Sequence, residues 1–332
     1  MKSFCYSEDM QLLEAVPNIS EGRNPTVLHA LEDLLHAQKD ITLLGIDPNQ
    51  SANRTVFTFI GTPEAMRKSL PKFIALACKL IDMRKQKGEH PRLGAVDVCP
   101  LVPLQNISLP ECAELAKEIA REVATQLSLP VYLYEACAAT DERKNLAFIR
   151  RGEYETLPEK LKTLPPDFGP SDFSLSVAKT GACVMGARNF LIAFNMNLNT
   201  QDPSPARQIA TNIRQSGGGM KGLKAIGWYM ENFRRAQVSC NITDFHLAPL
   251  HLVYQQAQQE AQKLGLKITG SELVGLIPLE ALLAAGRYYA PSEKSTAAWV
   301  KAAAQYLNLS EVKPFCPKEQ ILEIKAGLTK LV

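Results

Sequence analysis

The chain has 332 residues, 46% of them hydrophobic and 21% charged, which suits a globular protein with a real core and excludes a disordered tail or a fibre. That length is too great for one small domain and short for three, so two domains are expected. With 37 Lys and Arg against 34 Asp and Glu the formal net charge is only +3, so the whole molecule has no basic field for nucleic acid and no such partner is expected.

In chain order, Leu12–Val16 is a short apolar run that predicts a strand. Asn24-Pro25 opens a helix, Asn as N-cap and Pro in the first turn, with Val27, Leu28, Leu31, Leu34 and Leu35 along one face. Ile41–Ile46 predicts a buried strand closed by Asp47-Pro48, and Arg54–Ile60 predicts a strand by its alternation. Thr62-Pro63-Glu64 starts a helix striped by Met66, Leu70, Phe73, Ala77, Leu80 and Ile81, with a kink expected at Pro71. Gly94–Cys99 is the next strand, completing β-α-β-β-α-β. A capping box from Ser108 to Glu111 opens a further helix, and Pro130–Tyr134 predicts a strand. Residues 136–180 are polar, carry Pro and Gly, and read as loop.

The second half repeats the order. Phe190–Phe194 predicts a strand, Asp202-Pro203 opens a helix through Ile213, and Leu223–Tyr229 and Gln237–Phe245 predict strands. A helix over Pro249–Leu264, a short strand over Lys267–Gly270, and helices over Pro278–Ala290 and Thr296–Leu307 complete the chain. The fold class is α/β (α+β): two ferredoxin-like βαββαβ subdomains, residues 1–181 and 182–332, with sheets facing across a ligand cleft and helices outside.

No apolar run approaches the ~18 residues of a membrane helix, and Met1–Val16, with Glu8, Asp9 and Glu14, lacks the apolar core of a signal peptide. A cytoplasmic protein with no membrane partner is expected. The eight cysteines, Cys5, Cys78, Cys99, Cys112, Cys137, Cys183, Cys240 and Cys316, form no CxxC and none lies beside a histidine pair. They are read as reduced and mostly buried, with no metal site.

The densest unusual segment is Lys87-Gly-Glu-His-Pro-Arg-Leu-Gly-Ala-Val-Asp97. Gly88 and Pro91 rule out continued helix, so His90 sits on a turn, where it can serve as general acid or base near neutral pH; the alternative is a surface-loop histidine. His29, His36, His246 and His251 lie in or beside helices and read as packed, solvated or capping groups. Asn53 and Arg54 begin a strand beside Asp47, and Arg54 can fork onto a carboxylate, or the group can simply stabilise a turn. Asn18 and Ser20 leave the first strand on a polar loop and can bond a ligand or brace the loop. Arg84-Lys-Gln-Lys87 reads as a solvated helix end placed to attract an anion. Gly217-Gly-Gly-Met-Lys-Gly222 follows a helix and precedes a strand, the reverse of a phosphate-binding loop.

The chain resembles the formiminotransferase family. The resemblance is carried by Val16-Pro-Asn-Ile-Ser-Glu-Gly22, Asn53-Arg-Thr-Val56, Leu80-Ile-Asp-Met83, Lys87-Gly-Glu-His-Pro-Arg92, Ala95-Val-Asp-Val-Cys-Pro100, Gly152-Glu-Tyr-Glu155, Pro166-Asp-Phe-Gly-Pro-Ser171, Gly186-Ala-Arg188, Ala225-Ile-Gly-Trp-Tyr229, Gln237-Val-Ser239 and Gly270-Ser-Glu-Leu-Val-Gly-Leu276. It runs through nearly the whole chain in order. It implies glutamate formimidoyltransferase activity, moving the formimino group of N-formimino-L-glutamate to N5 of tetrahydrofolate, with tetrahydrofolate as co-substrate and no metal. It also implies a homodimer with a folate site between the sheets.

The same resemblance makes His90 the catalytic histidine and implies that a stretch of Gly169, Pro170, Ser171, Asp172, Phe173, Ser174, Leu175, Ser176, Val177, Ala178, Lys179, Thr180 and Gly181 lines the folate. Asp47 is then a candidate to orient His90 or to bind an ammonium-like nitrogen, and Arg54 or Arg92 to clamp a carboxylate. Arg54, Arg84, Lys85, Lys87 and Arg92 are expected to gather where a polyanionic folate enters. The cyclodeaminase domain often fused to this family has no counterpart before Val332, so a separate cyclodeaminase partner is an open expectation. A transferase acting on 5-formyltetrahydrofolate and glutamate, or a non-catalytic folate-binding protein, stands as the alternative.

Overall fold

Two runs of alternating strand and helix build two separate sheets, seen in a computed structural model that describes residues 6–7, 9–88, 90–231, 234–311 and 313–332. Cys5, Glu8 and Glu89, which figure in the sequence reading, lie outside the described residues. The chain divides into two compact units, Met1–Arg188 and Asn189–Val332.

In the first unit β1 (Leu12–Ala15) and β2 (Asn18–Ile19) follow one strand line, interrupted where Pro17 has no N–H to give a ladder. Then come α1 (Pro25–Ala37), β3 (Ile41–Asn49), β4 (Arg54–Gly61), α2 (Pro63–Leu80) and β5 (Val96–Gln105). The first strand line lies between β4 and β5, with β3 outside β4, all antiparallel. This is the expected ferredoxin-like arrangement. Asn24 caps α1 as read, Thr62 caps α2, and α2 runs unbroken through the buried Pro71. Phe57 and Phe59 of β4 bury one face of the sheet against Phe73 of α2, the Phe57 and Phe73 rings meeting edge-on with centroids 5.2 Å apart.

The segment read as loop is more ordered than its composition suggested. After α3 (Leu109–Leu127), whose capping box joins Ser108 and Glu111, and β6 (Val131–Glu135), the chain forms α4 (Leu146–Arg150), α5 (Leu157–Thr163) and α6 (Leu175–Thr180). Helices this short give no amphipathic period to read. β7 (Cys183–Ala187) then inserts between β5 and β6, parallel to both. The division therefore falls after Arg188 and not at 181/182, because the strand following Ala182 is hydrogen-bonded into the first sheet. Tyr132, Tyr134 and Val184 point away from α3 and pack with Ile149, Leu157, Leu161 and Val177, so α4–α6 cover this end of the second face.

The second unit holds β8 (Ile192–Leu198), α7 (Pro203–Ile213), β9 (Leu223–Met230), β10 (Arg235–Ile242), α8 (Leu250–Lys263) and β11 (Ile268–Val274). Its strand order β11-β8-β10-β9, all antiparallel, repeats that of the first unit. Phe194, Met196, Val238 and Cys240 face α7 and α8 in the core, while α9 (Leu279–Tyr289) and α10 (Thr296–Tyr306) close it with Leu282, Val300 and Ala303. Among the described residues no helix is long and apolar enough to cross a membrane. Cys78, Cys99, Cys112, Cys137, Cys183 and Cys240 are free and buried, Cys316 free and exposed.

One close approach holds the entrance to β5. Gly94 and Gly181 bridge, and a Cβ on Gly94 meets Ala182 O at 2.3 Å. Gly94→Ala is expected to lower stability by about 1–3 kcal/mol through overpacking, read as a fall in the urea midpoint.

Candidate active site

The site grows from a lone carboxylate in an apolar strand. Asn18 pairs with Val98 and Ile19 with Val96, so Asp97 is the extra residue of a β-bulge. A bulge breaks strand alternation and re-aims its side chain. Asp97 is 0% exposed, and a charge buried so completely needs partners. Two arginines supply them. Arg54 Nη1 donates to Asp97 Oδ2 at 2.5 Å, and Arg150 of α4 donates Nη2 to Oδ2 at 2.5 Å and Nε to Oδ1 at 3.2 Å. The Leu93 N–H adds a bond to Oδ1 at 2.9 Å. Burial by itself would raise the Asp97 carboxyl, but Arg150, Arg54 and the Leu93 amide together hold it below the ordinary carboxylate range. Two guanidinium groups on one carboxylate leave a net positive charge. Arg54 is also steered by Asn18, whose Oδ1 accepts from Arg54 Nε at 3.1 Å while its Nδ2 donates to Val16 O.

His90 stands in that field. Burial, and after it the Arg54 charge, push its pKa down to about 4. The Pro91 carbonyl lies 2.7 Å from Nδ1. A carbonyl only accepts, so the neutral ring carries its proton on Nδ1 and presents the Nε2 lone pair. A neutral imidazole with an available nitrogen is equipped to take a proton.

The loop that carries His90 is pinned from below. Asn53, in the left-handed region at φ 47° and 4% exposed, donates to Gln86 Oε1 and Lys87 O and accepts from Gly22 N. Ser20, 1% exposed, donates to Gly94 O at 2.7 Å. Both therefore brace the loop. Arg92 is also buried, its guanidinium bonded to Glu153, Glu155 and the Gln86 carbonyl. Of the expected basic cluster, Arg84 is paired with Asp82 and Arg92 with Glu153 and Glu155, while Arg54 shares Asp97 with Arg150. Asp47 is exposed and lies opposite Val56, on the sheet face that Arg54 shares.

The 169–181 stretch forms a turn and then α6. Gly169 has φ +86° with Leu129 O against it, and Ser174 caps α6. Pro170, Ser171, Asp172, Phe173, Leu175 and Ser176 lie at or near the surface, Leu175 84% exposed. Val177 and Thr180 are buried, Ala178 O accepts from the Tyr154 hydroxyl, and Lys179 Nζ donates to Lys79 O. Gly181 turns at φ +67° against Leu93 O.

Sequence reasoning missed Asp97 and Arg150. Asp97 had a signal, an isolated carboxylate within Ala95-Val-Asp-Val-Cys99. Arg150 had none, since it lies in a segment without readable period.

Set beside known proteins, the chain matches the family profile described as "Formiminotransferase domain, N-terminal subdomain" over residues 12–188 and "Formiminotransferase domain" over residues 193–326. The protein called formimidoyltransferase-cyclodeaminase in Rattus norvegicus is 46% identical over 325 residues, 94% of this chain and 59% of the rat protein. The glutamate formimidoyltransferases of Streptococcus pyogenes serotype M1 and Thermoplasma acidophilum are 40% and 37% identical, each covering 84% of this chain, which spans 93% and 92% of their lengths. The chain belongs to the formiminotransferase family.

Breaking the buried pair should be costly. Asp97→Asn leaves Arg54 and Arg150 facing each other and is expected to destabilise the first unit by about 3–5 kcal/mol, measured by chemical denaturation of the intact chain.

Proposed function

We propose that the protein is a glutamate formimidoyltransferase that moves the formimino group of N-formimino-L-glutamate to N5 of tetrahydrofolate. The observation that supports this most is His90: a neutral imidazole with its Nε2 presented, next to a half-buried arginine pair of net positive charge. Membership of the family and the names of its Streptococcus and Thermoplasma relatives support the same reading.

In this reading His90 begins as the base. Its Nε2 takes the N5 proton as the N5–carbon bond forms to the formimino carbon. The imidazolium so produced, with a pKa of about 4, is more acidic than an ordinary imidazolium. It gives that proton to the glutamate nitrogen as the carbon–nitrogen bond to glutamate breaks, which lets glutamate leave as an amine. The proton removed from one nitrogen ends on the other, and His90 returns to its starting state. Arg54 and Arg150 draw in a substrate carboxylate, since their pairing with one Asp97 leaves a charge over. Asp47 contributes from the same sheet face as Arg54, and the 169–181 turn lines the folate. The protein works in this reading as a cytoplasmic homodimer.

The test is glutamate release from N-formimino-L-glutamate with and without tetrahydrofolate. Release is expected to require tetrahydrofolate and to fall by roughly 10²–10⁴-fold in His90→Ala, with tetrahydrofolate binding retained in a parallel titration. Unchanged turnover in His90→Ala removes the residue from the chemistry.

A further inference from the structure

The second sheet has a polar face whose residues the mechanism does not use. Along β8 and β10 the side chains of Phe194, Met196, Val238 and Cys240 go to the helices, so Asn195, Asn197 and Gln237 stand on the opposite face. The register sets Gln237 across from both Trp228 and Asn197, and Asn195 across from Glu272. Every amide orientation there follows from a neighbour that can only donate or only accept. The Trp228 indole N–H donates to Gln237 Oε1 at 2.9 Å. Gln237 Nε2 therefore faces the other way and donates to Asn197 Oδ1 at 2.9 Å and Glu272 Oε1 at 3.0 Å. Asn197 Nδ2 donates to Glu311 Oε2 at 2.9 Å. Asn195 Nδ2 donates to Glu272 Oε1 at 3.3 Å, which makes the other terminal atom of that amide the carbonyl oxygen.

Two acceptors are left over. Asn195 is only 6% exposed, and its Oδ1 is buried with no hydrogen-bond partner among the described residues. Glu272 is half-buried. Its Oε1 receives both amides, while Oε2 receives no donor among those residues. A buried carbonyl left unpaired is costly, and native structures rarely leave one without a purpose. Both atoms are acceptors, so a partner for them brings hydrogen-bond donors.

We propose that Glu272 and Asn195 bind an N–C–N edge carrying two N–H donors. The identity of that edge rests on the transferase reading. Both substrates in that reading own one: the amidine of the formimino group, and the 2-amino-4-oxopyrimidine ring of tetrahydrofolate. A carboxylate is the natural mate of such an edge, and more so when the edge is cationic.

The experiment is calorimetric titration of the full chain, wild type and Glu272→Gln, with four probes: tetrahydrofolate, N-formimino-L-glutamate, and the bare edges pterin and formamidinium. The variant is expected to lose on the order of 10–100-fold in affinity for one substrate and its matching bare edge, and to keep the other, which identifies the source. Equal affinities for all four probes in both proteins, at equal melting temperature, overturn the proposal and leave the transferase reading intact. Binding of a bare edge that Glu272→Gln abolishes, with neither substrate bound by wild type, overturns the transferase reading and keeps this site. Binding of no probe by wild type overturns both. Where Glu272→Gln does not fold, Asn195→Ala carries the same titrations with the same expected loss.

Discussion

A single buried carboxylate holding two arginines is the interaction on which the first unit depends. Asp97 has no exposed surface, yet it is flanked by Val96 and Val98 in a strand whose following residues, before Gln105, are apolar or cysteine. Its charge is tolerable only because Arg54 arrives from β4 and Arg150 from α4. The bulge at Asp97, the strand entry at Arg54 and the short helix ending at Arg150 are thereby fixed to one another. The arginine pair in turn sets the electrostatics at His90, whose proton is repelled by the Arg54 and Arg150 charges in addition to burial. Scaffold and candidate chemistry thus share one ion cluster.

The duplicated topology explains why polar groups collect where they do. In each unit helices cover one sheet face, so strand alternation sends every second residue to the other. In the first unit that second face gathers Asn18 and Arg54, with Asp97 brought to them by the bulge. In the second it gathers Trp228, Gln237, Asn197, Asn195 and Glu272. Each sheet therefore carries its own polar constellation, built on strands and not on loops, where side chains are held more firmly.

Most of the fold was legible in the sequence because its elements are long and periodic. α1, α2, α3, α7 and α8 were read from apolar stripes and their caps, and the repeated strand order followed from the same pattern occurring twice. What was not legible lacks a period. α4, α5 and α6 span five to seven residues, too few for a face to show, and β7 joins its sheet through a parallel pairing that depends on strands distant in sequence. At the site, the His90 turn was visible from Gly88 and Pro91. Asn53, Ser20 and Arg92 carry chemistry suited to a ligand, and only burial and bonding distances show them bracing the loop. Arg150 was invisible because its role comes entirely from where α4 lands.

The central claim is that the arginine pair on Asp97 and the burial of the ring keep His90 neutral with Nε2 available. The most direct measurement is an NMR titration of the His90 ring in the intact chain, unfolded-state histidine serving as the reference near 6.5. The account predicts a midpoint near 4, with the neutral ring protonated on Nδ1 above it, and an upward move of that midpoint in Arg54→Met. A wild-type midpoint near 6.5 that does not respond to loss of Arg54 would contradict it.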